Sequence, residues 1–159
     1  MDKRKYASHR LTFKNMTIRT YNPDDREAVV DVWRKAGLVR TWNDPHRDID
    51  RKVANDPGGF LVPVEDGQFV GAVMAGYDGH RGWIQYLGVD PSRQRSGIGR
   101  ALVAAAIELL RGRGCPKINH QVRRTNREVI EFYQRIGFSE DDVLSMGLRL
   151  IEDVAPNHE

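Results

Sequence analysis

Three predicted strands follow one another in the middle of the chain with only short turns between them. They are FLVPV (60–64), FVGAVMAGY (69–77) and WIQYLGV (83–89). The turns, Asp66-Gly67 and residues 78–82, are too short for the crossover that parallel neighbours require. This stretch therefore predicts an antiparallel meander, around which the other elements must pack.

The rest of the chain alternates helices with single strands. The predicted elements outside the meander are a strand at 16–21, a helix from Asn22 to Gly37, a polar helix from about Pro45 to Asn55, a long helix from Ile98, a strand at 117–122, a helix capped by Asn126 and a closing strand at 142–151. The long helix lets strand 117–122 return parallel to strand 83–89. The predicted fold class is α+β: a mixed central sheet, with an antiparallel meander and then a parallel strand pair, flanked by helices.

Length and composition predict one domain. The chain has 159 residues, of which 40% are hydrophobic and 30% are charged, as in an ordinary globular protein. We expect a basic, flexible N-terminal tail at 1–14, a single domain at 15–154 and a C-terminal tail at 155–159. No apolar run approaches the ~20 residues that span a bilayer, and the N-terminus lacks the apolar core of a secretory signal.

The cysteine and histidine contents argue against several kinds of site. A single cysteine, Cys115, cannot form an intrachain disulfide, so a reducing, cytoplasmic location is expected. No histidine stands at metal-ligand spacing from a cysteine or from another histidine, so no metal is expected. Cys115 has no activating base beside it and is interpreted as inert.

A glycine-rich turn, RQRSGIGR (93–100), leads from the meander into the long helix. Gly97 and Gly99 would let a phosphate approach the unpaired amides of the helix N-terminus, and the flanking arginines would add positive charge. No Walker sequence is present, and Leu102 stands where the dinucleotide fingerprint needs a third glycine. On these residues alone, an anion site and an ordinary loop with solvated arginines both remain open.

The motifs around this turn decide between the two. Gln94-Arg95-Ser96-Gly97-Ile98-Gly99 fits the pattern Q/R-x-x-G-x-G/A, and Leu87-Gly88-Val89-Asp90-Pro91 precedes it. Asn126, Tyr133 and Gly137-Phe138 follow in an N…FY…GF arrangement. In order and spacing these motifs resemble the GNAT superfamily of acetyl-CoA-dependent N-acetyltransferases, over roughly residues 16–151.

Three further segments resemble a subgroup of small bacterial GNAT proteins with poorly defined substrates. They are RTWNDP (40–45), GYDGHRG (76–82) and SMGLRLIED (145–153). This finer resemblance does not identify the acceptor.

The resemblance implies an enzyme that transfers acetyl from acetyl-CoA, as co-substrate, to a primary amine by direct attack in a ternary complex. Tyr133 would be the general acid that protonates the leaving thiolate, because a phenol with a pKa near ~10 is a suitable donor. On periodicity alone, Tyr133 is equally a core residue and Asn126 equally a helix N-cap. The implied CoA-binding residues are Leu87, Gly88, Val89, Gln94, Arg95, Ser96, Gly97, Ile98, Gly99, Arg100, Asn126 and Tyr133.

The acceptor side is less defined. The implied substrate-binding residues are Trp42, Asn43, Asp44, Asp78 and Tyr86, although Asp44 could equally form an Asx turn before Pro45. Relatives carry a general base at positions that hold Gln121 and Trp83 here, so no single carboxylate base is assigned. A water relay stays open, through Asp44, Asp78, His80, His120 or Tyr86.

Two other functions were weighed. A non-catalytic acetyl-CoA sensor on the same fold would keep the CoA site, although Tyr133 argues mildly against it. The basic residues of 1–14 and 93–127 favour polyanions, but no stacking aromatics accompany them, so nucleic-acid binding ranks last. The expected partners are CoA and an amine acceptor, without a membrane, and the closing strand could pair across a homodimer.

Overall fold

A computed structural model of the chain describes residues 11–13 and 15–153. Within these ranges the strands are β1 (Leu11–Phe13), β2 (Met16–Thr20), β3 (Phe60–Glu65), β4 (Gln68–Phe69), β5 (Gly71–Tyr77), β6 (Gly82–Val89) and β7 (Ile118–Asn119). The helices are α1 (Arg26–Lys35), α2 (Pro45–Asn55), α3 (Ile98–Gly112) and α4 (Arg127–Arg135). Short 3-10 turns precede α1, β3 and the glycine-rich turn.

The strands form one mixed sheet in the order β1-β2-β3-β5-β6-β7, and β4 pairs with β3. All neighbours are antiparallel except β6 and β7, which run parallel. The hairpin turn at Asp66-Gly67 has positive φ at both residues, as a tight two-residue connection requires. The predicted α+β class, with its antiparallel meander and parallel pair, is confirmed.

Helices cover both faces of the sheet, and each face has its own hydrophobic core. On one face, α1 and α2 pack on side chains from β3 and β5, with Trp33, Ile49 and Phe60 fully buried. On the other face, α3 and α4 bury Leu102, Leu110 and the opposite side chains of β2, β3, β5 and β6. Burial of these apolar side chains is the main stabilising contribution to such a domain.

The structure departs from the sequence-based expectations at both ends of the chain. Residues Leu11–Phe13, expected within the tail, form β1 at the sheet edge, while 1–10, residue 14 and 154–159 lie outside the described residues. Strand β7 covers only Ile118–Asn119 of the predicted 117–122. The prediction of a closing strand is wrong: residues 142–151 belong to no strand in the part of the chain that the structure describes.

Candidate functional site

Strands β6 and β7 pair over two residues and then separate. Gly82 pairs with Ile118 and Trp83 with Asn119. One residue further, the carbonyl oxygen of Ile84 accepts a hydrogen bond from His120 Nδ1 at 2.8 Å instead of joining a backbone ladder. The imidazole thus takes the place of the next strand pair, and a cleft opens between the two strands.

The hydrogen bond to Ile84 defines the state of His120. Because a carbonyl oxygen only accepts, Nδ1 must carry the proton, which leaves Nε2 unprotonated in the neutral ring. Burial lowers the pKa of His120 further than the bond to Ile84 raises it. The histidine is therefore neutral at physiological pH.

Tyr133 lies against this histidine and is almost fully buried, with 4% of its surface exposed. Its ring stacks on His120 with centroids 4.1 Å apart, and the edges of Phe132 and Phe138 hold it from two sides at 5.1 Å each. Its hydroxyl has no hydrogen-bond partner among the described residues, and burial raises its pKa. An unpartnered buried hydroxyl is costly, so this one indicates a ligand or water in the cleft.

Both rings line a cavity of about 1220 Å³ beside β7. Its other walls come from α4 and from residues 139–146, which follow α4. The glycine-rich turn does not line it. The cleft at Tyr133 and the turn at Gly97 are therefore separate features that an elongated ligand would have to connect.

The glycine-rich turn ends in an open helix N-terminus. Gly97 is the N-cap residue of α3, with φ +88°, and no side chain caps the first amides. A Cβ built on Gly97 would meet nothing within 4 Å, so the space in front of these amides is open. Gly99 instead packs against other side chains: a Cβ built on it would lie 3.6 Å from Phe132 and 3.7 Å from Val89. Open amides at a helix N-terminus suit an anion.

The side chains of this turn are largely exposed, as the predicted anion site requires. Arg95 and Arg100 are both exposed. The Arg95 guanidinium lies 3.6 Å from a carboxylate oxygen of Glu128 at the surface. Gln94 donates to the carbonyl of Val89 at 3.3 Å, and Ser96 donates to that of Arg93 at 2.5 Å. These bonds hold the turn against the end of β6, while Ile98 is buried and anchors α3.

Asn126 is the N-cap residue of α4, which is one of the two roles expected for it. Its side-chain oxygen accepts from the Val129 amide at 3.4 Å and caps α4. A second role toward a ligand would have to use its amide nitrogen.

A bulge distorts β6 on its other edge. Ala72 pairs with Gly88 and Met74 with Gln85, so two β6 residues, Tyr86 and Leu87, face a single residue of β5. Tyr86 absorbs the distortion with φ +52°, a costly conformation for a non-glycine residue. The bulge thus falls before Gly88 and does not involve it. Glycine is needed at position 88 for close packing, because a Cβ there would lie 3.0 Å from Leu38 and 3.2 Å from Trp33.

The bulge turns the Tyr86 ring toward α2, on the sheet face opposite Tyr133. The ring stacks on Trp33 at 4.3 Å, and its hydroxyl donates to Asp48 Oδ2 at 2.5 Å. Asn43 donates to the same carboxylate oxygen at 3.3 Å and approaches the Tyr86 hydroxyl at 3.4 Å. Burial, and then the bond to Asp48, raise the pKa of Tyr86.

Asp48 was not predicted from the sequence. It lies in the predicted polar helix from about Pro45 to Asn55, and no local motif marks it. Only the packing of α2 against the bulged strand brings its carboxylate to Tyr86, where Arg51 also contacts it at 3.2 Å.

The other predicted acceptor residues do not join this cluster. Asp44 caps α2 through bonds from the amides of His46 and Arg47, at 2.9 and 3.4 Å. Asp78 holds the exposed 78–82 turn by accepting from two backbone amides of that turn. Trp42 is 45% exposed, with the Arg123 guanidinium 5.6 Å from its ring.

Neither a metal cluster nor a membrane span is found in the described part of the chain. No three side chains of the metal-binding types converge there. None of its helices combines the length and the apolar character that crossing a membrane requires.

Comparisons with known proteins agree on one family. Residues 23–138 match the model of the acetyltransferase (GNAT) family. An acetyltransferase of Pectobacterium atrosepticum is 47% identical over 138 residues, which cover 87% of this chain and 98% of that protein. An acetyltransferase of Sodalis glossinidius is 48% identical over 139 residues, with the same coverage.

Solved structures agree with the sequence relatives. Ard1 from Thermoplasma volcanium has a TM-score of 0.71 and 28% identity, covering 79% of this chain and 83% of that one. The ribosomal-protein-S18-alanine N-acetyltransferase from Escherichia coli has a TM-score of 0.68 and 23% identity, covering 79% of each chain. The second likeness is one of fold alone.

The lowered pKa of His120 predicts a pH dependence of stability. As the pH falls, the histidine of the unfolded chain, with a pKa near 6.5, binds a proton at a higher pH than the histidine of the folded chain does. Stability from this group is therefore present above about pH 6.5 and is lost as the pH falls through the lowered pKa of the folded state. Urea denaturation between pH 7.5 and 5 should show this loss in the wild type and a smaller one in His120→Asn. The exposed-turn variant His80→Asn is the control, and an equal pH dependence in all three proteins contradicts the assignment.

Proposed function

The chain belongs to the GNAT family of acetyltransferases, and we propose that it transfers the acetyl group of acetyl-CoA to a primary amine. The family generally uses acetyl-CoA as the acyl donor. The observation that carries the proposal is the buried hydroxyl of Tyr133, which has no partner in the described chain and lies where β6 and β7 diverge. A hydroxyl so placed can donate a proton to a leaving group bound in the cleft.

The residues present fit CoA as an elongated ligand. The open amides of Gly97 to Gly99 would hold the pyrophosphate, with Arg95 and Arg100 beside it. The backbone of Leu87 and Val89 would pair with the pantetheine arm, because β7 has already left this edge of β6. Gln94, Ser96 and Ile98 would shape the turn, and the Asn126 amide nitrogen, which the α4 cap does not use, would donate to the pantetheine arm.

The chemistry needs two proton movements. Acetyl-CoA would supply a thioester, whose carbonyl carbon forms a bond to the amine nitrogen as its bond to sulfur breaks, with CoA as the leaving group. Tyr133 would give its proton to the departing sulfur. Its pKa is raised by burial, so the hydroxyl carries its proton at neutral pH.

The acceptor amine would approach from the opposite sheet face, where Tyr86, Asp48 and Asn43 form one hydrogen-bonded cluster. Asp48 supplies negative charge for an ammonium ion. The Tyr86 oxygen could accept the proton of the ammonium while its own proton moves to Asp48. We do not assign this role to Asp44 or Asp78, because helix and turn amides occupy their carboxylates.

A non-catalytic acetyl-CoA sensor would use the same CoA residues. It would have no need for the cluster at Asp48 or for an unpartnered Tyr133 hydroxyl. Release of free CoA in the presence of an amine panel separates the two functions, because a sensor binds acetyl-CoA and releases nothing.

Replacing the proposed general acid should slow transfer without weakening binding. Tyr133→Phe keeps the ring that stacks on His120 and removes only the hydroxyl. We expect kcat to fall by roughly 10²–10⁴, with the Kd of acetyl-CoA unchanged in calorimetry. Tyr77→Phe removes a hydroxyl at the end of β5 that donates only to the Gly79 carbonyl; it is the control and should turn over normally. Unchanged turnover in Tyr133→Phe removes Tyr133 as the acid.

Filling the open space before α3 should block CoA. Gly97→Val places a branched side chain in front of the amides, so acetyl-CoA should no longer raise the melting temperature. Gly79→Val is matched for strain, because Gly79 also has positive φ and open surroundings, at φ +94°. That control should lose similar stability yet keep the acetyl-CoA shift. An intact shift in Gly97→Val would mean that the phosphates bind elsewhere.

Removing the acceptor-side charge should affect the amine alone. Asp48→Asn should lower kcat/KM for the amine at least ~10-fold, since a charge-assisted bond contributes about 1.5–3 kcal/mol, and should leave acetyl-CoA binding intact. Asp50→Asn changes an exposed carboxylate on the same helix and serves as the control. Equal amine kinetics in both variants would move the acceptor site away from Tyr86.

A further inference from the structure

The chain after α4 presents a run of apolar side chains to solvent. Among the described residues, backbone amides beyond Val143 in this segment donate no hydrogen bond to other backbone. We call residues 143–151 the C-terminal segment. Its exposed apolar residues, with exposed fractions, are Val143 74%, Leu144 85%, Met146 92%, Leu148 86%, Leu150 86% and Ile151 61%. A contiguous apolar surface of this kind indicates a partner.

A groove separates this segment from the sheet. It is the cavity of about 1220 Å³ described above, with residues 115–122 on one side and 139–146 on the other. Its lining includes Ile107, Ile118 and Ile136, so it is apolar at its base. Residues 120–122 along this side belong to no strand, and β7 has no neighbour beyond it in the described sheet.

Only side-chain tips cross the groove. Lys117 Nζ lies 2.5 Å from an Asp141 oxygen, and the Gln121 amide donates to the Ser145 hydroxyl. Both pairs join residues 24 positions apart, so the segment runs in the same direction as β7. Because side chains and not backbone hydrogen bonds join the two sides, these stand further apart than the ~4.8 Å of paired strands.

We propose that the groove receives the C-terminal segment of a second copy of this chain, exchanged reciprocally about a two-fold axis. The resulting order is β7, segment of the partner, own segment, β7 of the partner. A two-fold axis makes the two segments antiparallel to each other, and each then runs antiparallel to the β7 that it joins. One contact, repeated by symmetry, fills both grooves and leaves no open edge there.

The segment of the same chain is fixed at both ends. Lys117 anchors Asp141 at its start. Beyond its other end, Asp153 is 6% exposed and bonded to Arg51 at 2.6 and 2.8 Å. Closing the groove from within one chain would pull against the Asp153–Arg51 contact, whereas a partner strand leaves that contact in place and displaces only the side chains that cross the groove.

The charges of the segment suit pairing with itself. In an antiparallel pair centred between Ser145 and Met146, Arg149 of one copy lies opposite Asp142 of the other. Gly147 lies close to that centre, where the absence of a side chain lets two backbones approach. A Cβ there would meet nothing within 4 Å in the single chain.

The exchange would also cover the proposed acid. Tyr133 and His120 line the groove as well as the cleft between β6 and β7, so the inserted strand limits the access of water to these two rings from the groove side. The pairing itself does not depend on the reaction proposed above, and it is tested without an activity assay.

Sedimentation velocity over about a hundredfold range of protein concentration, together with amide hydrogen exchange, tests the proposal. We expect a wild-type dimer with protected amides at 118–122 and 144–150. Met146→Asp combined with Leu148→Asp should give monomers in which both stretches exchange freely. These side chains are exposed in the single chain, so the protomer should keep its fold, as circular dichroism would show. Leu11→Asp, which also adds a charge at an exposed leucine, is the control and should remain dimeric.

Three results would overturn the proposal. The first is a wild type that stays monomeric at the highest concentration. The second is a dimer whose amides at 118–122 and 144–150 exchange without protection, because another surface would then form the dimer. The third is a double variant that remains dimeric with both stretches protected.

Discussion

The hydrogen bond from His120 to the carbonyl of Ile84 is the interaction on which the site depends. It replaces the strand pairing of β6 and β7 after only two residues, and so it leaves one edge of β6 free beyond that point. The same imidazole supports the ring of Tyr133 at 4.1 Å. One half-buried, neutral side chain therefore both opens the cleft and supports the ring of the proposed acid beside it.

The opposite edge of β6 is distorted as well, and the two distortions serve different sheet faces. The bulge at Tyr86 costs backbone strain, which the stacking on Trp33 and the bond to Asp48 offset. The bulge directs the Tyr86 side chain toward α2, where it reaches Asp48. A cleft with Tyr133 on one face and Tyr86 on the other suits a reaction in which donor and acceptor arrive from opposite sides.

How much the sequence predicts depends on how local each signal is. The meander follows from its short turns, and the open turn at Gly97 from its glycine pair and the helix behind it. Asp48 could not be predicted, because only the packing of α2 on β6 gives it a partner. The prediction of a closing strand at 142–151 is wrong, because strand pairing depends on a neighbouring backbone, and these residues bond to no other strand in the part of the chain that the structure describes.

The most direct measurement of the central claim is the position of the sulfur in a crystal structure of the protein with CoA. Binding in the cleft predicts the sulfur within about 3.5 Å of the Tyr133 hydroxyl, with the pyrophosphate on the amides of Gly97 to Gly99. A sulfur remote from Tyr133, with the hydroxyl bonded only to water, would contradict it.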